Sequence, residues 1–168
     1  AARLYKIAIE KGSVAAMNNY ANMLKNGNGI PVNKKEAERL YIKAIELGDP
    51  DAPHNYANML CSGNKTDYEK AIYYYKMAAE KGKSSSMTAI GSILTEGKGV
   101  KKNPAEAVRY FKMAADLGDV IAMSNYGVYK AFGVDGIPID EDEGIRYLEM
   151  AADRGSENAK KALKRIGR

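Results

Sequence analysis

Small and large apolar residues recur along the chain at spacings that are typical of amphipathic helices. They align on five glycines that lie 36, 34, 36 and 37 residues apart. A small residue stands four positions before each glycine, and large apolar residues stand seven and eight positions before most of them, which defines one face of a helix. The small residues are Ala8, Ala44, Ala78, Ala114 and Ala151, and the glycines are Gly12, Gly48, Gly82, Gly118 and Gly155. A helix is therefore predicted to end at each glycine.

A second helix is predicted to follow each glycine. A small residue stands four positions on, a large apolar residue eight positions on, and another small residue nine positions on, except in the last copy, where Lys164 takes that place. Small residues there let two helices approach closely. These positions are Ala16, Tyr20 and Ala21; Ala52, Tyr56 and Ala57; Ser86, Ile90 and Gly91; Ala122, Tyr126 and Gly127; and Ala159 and Leu163. Gly27, Gly63, Gly97 and Gly133 are predicted to end the first four of these helices in the left-handed conformation.

Capping residues recur in the same register. Helices that begin after a loop are predicted to have Asn33, Asp67, Asn103 and Asp140 as N-caps. A glutamate stands three residues after three of them, which is typical of a capping box. The helices that follow the aligned glycines are predicted to begin at Ser13, Asp49, Asp119 and Ser156, with Lys83 as a weaker cap.

Together these patterns predict an all-α fold, a single array of stacked helix–loop–helix repeats over residues 1–168. The four full repeats are 13–48, 49–82, 83–118 and 119–155, and the partial repeats are 1–12 and 156–168. Since both ends fall within a repeat, we expect the chain to come from a longer array. We also expect both terminal helices to expose apolar surface and to offer a route to a homo-oligomer.

The aligned columns resemble Sel-one-like repeats, relatives of the tetratricopeptide repeat. The third repeat matches that pattern through Ile90-Gly91, Gly97-Lys98-Gly99-Val100 and the run from Tyr110 to Gly118. The first matches through Gly27-Asn28-Gly29-Ile30 and Leu40-Tyr41. The resemblance implies a right-handed α/α superhelix, a solenoid with a concave inner face. It also implies a role as an adaptor or scaffold.

The charge of the chain is concentrated at one end. The formal net charge is +5, from 26 basic and 21 acidic residues, and the last nine residues hold five basic and no acidic ones. The rest of the array is therefore balanced, and without an aromatic–basic motif we expect no specific nucleic-acid partner. No apolar run is long enough to span a membrane. The single cysteine and the absence of a signal segment favour the cytoplasm, with the lumen of the endoplasmic reticulum as the alternative.

The residues offer little for catalysis. His54 and Cys61 are seven positions apart on one predicted helix, which is about 10 Å of rise and too far for a histidine to activate a thiol. Two such side chains do not fill a tetrahedral metal site. We therefore expect no enzymatic activity, no metal and no cofactor.

A polar face is predicted on the first helix of each repeat. If Ala16, Tyr20 and Leu24 face the core, the neighbouring polar positions face the groove. A carboxamide both donates and accepts hydrogen bonds, so repeated asparagines can hold the backbone of an extended peptide. The predicted groove residues are Asn18, Asn19, Asn22, Lys25, His54, Asn55, Asn58, Thr88, Ser92, Ser124 and Asn125.

The sequence is compatible with two functions of different class. We favour a non-catalytic protein–protein interaction module that binds a peptide or protein partner on its concave face. The alternative is a structural spacer or self-associating array without a groove ligand. If the protein is an interaction module, the polar face is a binding surface. If it is a spacer, the polar face is a solvated surface.

Overall fold

The computed structural model describes residues 1–62 and 66–167, and all regular structure within those ranges is helical. The chain divides into two compact bodies, residues 1–81 and 82–168. The N-terminal body contains α1 (Ala2–Glu10), α2 (Val14–Asn26), α3 (Lys34–Glu46), α4 (Ala52–Leu60) and α5 (Tyr68–Glu80). The C-terminal body contains α6 (Ser84–Glu96), α7 (Pro104–Asp116), α8 (Val120–Phe132), a 3-10 turn (Val134–Gly136), α9 (Glu141–Asp153) and α10 (Glu157–Arg165).

Small residues bring the two helices of each repeat together, as predicted. In the N-terminal body α2 packs on α3 and α4 on α5, and Ala21 and Ala57 are fully buried. In the C-terminal body α6 packs on α7 and α8 on α9. A Cβ added at Gly91 would lie 2.5 Å from the Phe111 ring, and one added at Gly127 would lie 2.8 Å from Leu148 Cγ. Larger residues at these positions would push the helices apart.

The predicted N-caps are confirmed. The side chains of Ser13, Asn33, Asp67, Asn103, Asp119, Asp140 and Ser156 each accept a hydrogen bond from the backbone N–H three residues later. Lys83 makes no capping bond, in line with its weaker prediction. Gly27, Gly97 and Gly133 adopt the left-handed conformation just past their helices, whereas Gly63 lies outside the described residues.

The structure differs from the predicted capping box at the cap N–H groups. The backbone N–H of Asn33 donates to the carbonyl of Leu24, and that of Asn103 to the carbonyl of Leu94, both at 2.9 Å. The carbonyl of the preceding helix is thus the partner that satisfies this donor. The bond ties the two helices of one repeat together across their loop.

The helix of the second repeat also begins later than predicted, at Ala52 rather than directly after Asp49. In the first and fourth repeats Met17 and Met123 donate their N–H to the carbonyls of Ser13 and Asp119, which closes the first turn. Pro53 occupies the corresponding position and has no N–H to donate. Asp49 nevertheless caps the helix, since its Oδ1 accepts from the backbone N–H of Ala52 at 2.8 Å.

The two terminal helices differ in what they expose. On α1, Leu4 is 70% exposed and Ile7 is 38% exposed, in line with the prediction of an apolar surface. On α10 the apolar side chains are less exposed than predicted, because Ala159 and Ala162 are buried, Leu163 and Ile166 are half-buried, and the exposed side chains include Lys160 and Lys164. In the full repeats the positions of these two lysines hold buried methionine, proline, alanine or glycine.

Candidate functional site

Asn18, one of the predicted groove residues, lies in a buried polar network between the first and second repeats. Its side chain is only 5% exposed, and its Nδ2 donates to Asp49 Oδ1 at 3.2 Å. Asn55 Nδ2 donates in turn to Asn18 Oδ1 at 3.0 Å. Asp49 Oδ1 also accepts from the N–H groups of Asp51 and Ala52. Asn18 therefore joins successive repeats, and its amide is withdrawn from the surface.

Asn22 and Asn58 occupy the same position in the first and second repeats, and each holds a buried tyrosine. The Tyr41 hydroxyl donates to Asn22 Oδ1 at 2.7 Å, and the Tyr75 hydroxyl donates to Asn58 Oδ1 at 2.6 Å. Burial raises the pKa of both tyrosines above the ordinary value for tyrosine, so both hydroxyls are protonated donors at neutral pH. The oxygen of each amide is thus used inside the protein, and its N–H groups are what remains for a ligand.

The third and fourth repeats lack this pair. Where the first two have tyrosine, they have Phe111 and Leu148, and where the first two have the amide, they have Ser92 and Val128. A ring or chain without a hydroxyl needs no acceptor, so the amide has no structural task there. Asparagine therefore occurs at this position only in the repeats that have the tyrosine. This co-occurrence gives the asparagines a structural role besides any binding role.

The predicted residues of the C-terminal body bond mainly within the protein. Thr88 Oγ1 donates to the carbonyl of Ser84 at 3.2 Å, and Ser92 Oγ donates to the carbonyl of Thr88 at 3.0 Å. Ser124 Oγ lies 2.6 Å from Ser156 Oγ. Both Thr88 and Ser124 are buried, and Asn125 is half-buried. This body thus offers fewer amide groups than the N-terminal body.

The remaining predicted residues lie on α2 and α4 with different exposure. Asn19 is exposed, and Lys25 and His54 are half-buried. Burial lowers the pKa of Lys25 from its ordinary value. The His54 ring packs against Tyr75, with ring centroids 5.6 Å apart. The polar surface that the predicted groove residues of the N-terminal body offer is therefore centred on Asn19, Asn22, Lys25 and Asn58.

The thiol of Cys61 is placed beside Tyr75, whose hydroxyl lies 4.0 Å from its Sγ. Burial raises the pKa of the Cys61 thiol, which reduces its thiolate fraction at neutral pH. The nucleophilic form of cysteine is thus disfavoured at this position. Among residues 1–62 and 66–167, no group of three or more histidine, cysteine, aspartate or glutamate side chains is arranged to hold a metal ion.

Sequence reasoning missed two clusters in which a lysine and a carboxylate surround a tyrosine. In the N-terminal body the Tyr56 hydroxyl donates to Glu38, and Lys70 Nζ lies 3.6 Å from Glu38 Oε1 and 5.4 Å from the Tyr56 ring centroid. Burial and the Glu38 carboxylate raise the pKa of Tyr56 to about 12. The carboxylate and the lysine come from the second helices of neighbouring repeats, so columns aligned within single repeats give no signal for them.

The C-terminal body contains a similar cluster. The Tyr147 hydroxyl donates to Asp116, and Lys112 Nζ lies 3.0 Å from the Tyr147 hydroxyl. Lys112 also lies over the Tyr126 ring, 5.5 Å from its centroid. The hydrogen bond from Tyr147 lowers the pKa of the Asp116 carboxyl. These groups are satisfied within the protein and reinforce the contact between neighbouring repeats.

Helix hairpins of one register, joined through small residues and capped alike, define an α-helical repeat protein of the solenoid class. The Sel1 repeat model matches residues 14–49, 50–83, 84–119 and 120–156. The chain therefore belongs to the Sel1 repeat family, and its fold class is the all-α repeat superhelix. Proteins of this family are generally protein-interaction modules on a typically non-catalytic scaffold.

Solved structures agree with this assignment. The chain is 35% identical to a Sel1 repeat protein from Oxalobacter formigenes, with a TM-score of 0.84, covering 98% of this chain and 68% of that one. It is 27% identical to Helicobacter pylori cysteine rich protein B, with a TM-score of 0.58, covering 76% of this chain and 92% of that one.

A third structure shows the fold alone. It is c5321, a protective antigen of uropathogenic Escherichia coli, which is 24% identical with a TM-score of 0.85. The match covers 98% of this chain and 36% of the antigen, so the chain spans about a third of its length. No curated protein matches the chain. Among the described residues, no helix has both the length and the apolar character needed to cross a bilayer.

Proposed function

We propose that this protein is a non-catalytic interaction module that binds an extended peptide segment of a partner protein on the first-helix face of its N-terminal body. The observation that carries the proposal is the pair of equivalent amides, Asn22 and Asn58, each fixed through its oxygen by a tyrosine hydroxyl. An amide fixed in this way presents its N–H groups in a set orientation. Preorganised donors lose little conformational entropy when a ligand binds.

The spacing of the two amides suits an extended chain. Packed helices lie about 8–10 Å apart, and since α2 contacts α4 we expect their equivalent residues to be separated by a distance of that order. An extended peptide in the polyproline II conformation advances about 3.1 Å per residue with three residues per turn, so every third carbonyl faces the same side and can meet the next amide. Backbone carbonyls of the segment accept from Asn22 and Asn58, and the exposed Asn19 adds a third amide beside them.

The test separates the two functions of each amide. Replacing Asn22 and Asn58 by aspartate keeps an oxygen that accepts the tyrosine hydroxyl and removes the N–H donors. Short random peptides displayed on phage are selected against the wild-type protein, and the affinities of enriched peptides are measured for both proteins. We expect the Asn22→Asp, Asn58→Asp variant to bind about tenfold more weakly, since it loses donors and gains charges that repel carbonyl oxygens.

The matched control removes the other partner of each pair. Tyr41→Phe with Tyr75→Phe leaves both amides in place, and this variant should retain binding. Equal affinity of the wild type and the aspartate variant for the enriched peptides would refute the proposed role of the amides.

One observation favours the alternative of a spacer or self-associating array. Leu4 is 70% exposed on α1, where the corresponding residue of the first repeat, Leu40, is 2% exposed. Together with the exposed Ile7 on the same helix, Leu4 gives α1 an apolar patch through which another chain can associate. A spacer without a groove ligand would yield no peptides enriched on the first-helix face.

A further inference from the structure

The most unusual surface in the C-terminal body is the outer face of α10. In the full repeats, positions five and nine after the aligned glycine are buried on the first helix, and position nine contacts the second helix in the third and fourth repeats. The residues at these positions are Met17 and Ala21, Pro53 and Ala57, Met87 and Gly91, and Met123 and Gly127, and all of them are buried. At the same positions α10 has Lys160 and Lys164, both exposed.

This face cannot receive a second helix in the way the other repeats do. A single methyl group at Gly127 would already lie 2.8 Å from Leu148, and Lys164 occupies the equivalent position on α10. An apolar partner would also have to bury ammonium groups without compensation, which is strongly unfavourable. The charge of the face therefore selects a partner that brings negative charge.

The basic face consists of four exposed residues: Lys160, Lys161, Lys164 and Arg165. Lys164 and Arg165 lie one helical turn after Lys160 and Lys161. Lys160 Nζ bonds to Glu157 Oε1 at 2.8 Å, and Glu157 is the one acidic residue of α10. The Arg165 guanidinium lies over the Phe132 ring, 4.8 Å from its centroid, which holds it in place. The basic face is thus a compact cationic surface on a rigid support.

We propose that the basic face of α10 binds an acidic polypeptide segment of a partner protein. A membrane surface is disfavoured because the apolar residues of α10 lie on its packed side, away from the basic face: Ala159 and Ala162 are buried, and Leu163 and Ile166 are half-buried. Nucleic acid is disfavoured because the basic face has no aromatic residue of its own, and the Phe132 ring beside it is half-buried beneath Arg165. The basic face uses residues of the C-terminal body alone and extends the proposed function to a second class of segment.

The experiment uses the full chain and a fluorescein-labelled oligoglutamate peptide as the probe. Fluorescence anisotropy at low ionic strength measures its affinity for the wild type and for Lys161→Gln with Lys164→Gln. We expect this variant to bind about fivefold more weakly, as a few exposed charge pairs are lost. The control is Lys34→Gln with Lys35→Gln, which removes the same charge from two exposed lysines of α3 and should change the affinity less than twofold.

Three results would overturn this proposal: equal losses in the two variants, no measurable binding of the probe to the wild type, or tighter binding of oligothymidylate or phosphatidylserine vesicles than of oligoglutamate. The substituted lysines are exposed, and circular dichroism checks that both variants stay folded. Peptides selected on the amides of the N-terminal body should bind the α10 variant as well as they bind the wild type. A failure at α10 is therefore distinguishable from a failure of the proposed function.

Discussion

Gly144→Ala should lower the free energy of unfolding of the C-terminal body by about 2 kcal/mol. A glycine-to-alanine substitution within a helix usually increases stability, because alanine is the better helix former by about 1 kcal/mol. The change expected here has the opposite sign. The reason is the approach of α9 to α8, where an added Cβ would lie 2.4 Å from Ala131 N and 2.7 Å from its Cα. Backbone atoms cannot rotate away as a side chain can, so the two helices must separate. Urea unfolding followed by circular dichroism measures the change.

The control for this prediction removes the side-chain part of the clash. The added Cβ would also lie 2.8 Å from Ala131 Cβ, so Ala131→Gly in the Gly144→Ala background relieves that contact alone. The double variant should recover little stability, because both backbone contacts persist. An increase in stability for Gly144→Ala, or complete recovery in the double variant, would contradict the described packing of α8 on α9.

Asp49→Ala should destabilise the N-terminal body by about 3 kcal/mol, which combines a lost helix cap with an unsatisfied buried amide. Asp49 is 8% exposed, and its Oδ1 accepts from Asn18 Nδ2, Asp51 N and Ala52 N. Alanine removes all three bonds and leaves the Asn18 amide buried. Chemical unfolding of the variant measures the loss.

Two further variants separate the contributions of Asp49. Asp119 is the corresponding cap in the fourth repeat, and its Oδ1 accepts from Ala122 N. Asp119→Ala should lower the free energy of unfolding by about 1 kcal/mol. Asp49→Asn keeps an oxygen acceptor and should stay within about 1 kcal/mol of the wild type. If Asp49→Ala cost no more than Asp119→Ala, the bond from Asn18 would contribute nothing to the joining of repeats.

Much of the fold could be predicted from sequence because each repeat encodes the same local rules. Asn33, Asp67, Asn103 and Asp140 are short polar residues before helical runs, and a cap depends only on residues within one turn. The late start of α4 could not be predicted from aligned columns, since it follows from the missing N–H of Pro53. That effect belongs to a single residue and breaks the repeat pattern.

The candidate site was less predictable because its contacts run between elements. From its own helix alone, Asn18 is predicted to be a surface amide. Its burial depends on the next repeat, where Asp49 accepts its hydrogen bond. Asn22 is likewise predicted to be a surface amide, but in the structure its oxygen accepts a hydrogen bond from the Tyr41 hydroxyl. The pairing had a usable signal, because asparagine and tyrosine occur together in the first two repeats and are both replaced in the third and fourth.

The charge of the chain also has a structural explanation. Lys160 and Lys164 stand where full repeats have buried residues, so the basic excess marks a helix whose outer face differs from that of the other first helices. The same aligned columns that predict the core identify this exception. The cytoplasmic location stays a prediction.

The proposed function requires the amide N–H groups of Asn22 and Asn58 to bind the backbone of a partner segment while their oxygens hold Tyr41 and Tyr75. The most direct test is a nuclear magnetic resonance titration of the nitrogen-15-labelled protein with a peptide selected on the wild type. The side-chain amide signals of Asn22 and Asn58 should shift with the peptide concentration, and that of Asn158 on α10 should not. Binding of the peptide with the Asn22 and Asn58 signals unmoved would contradict the proposed function.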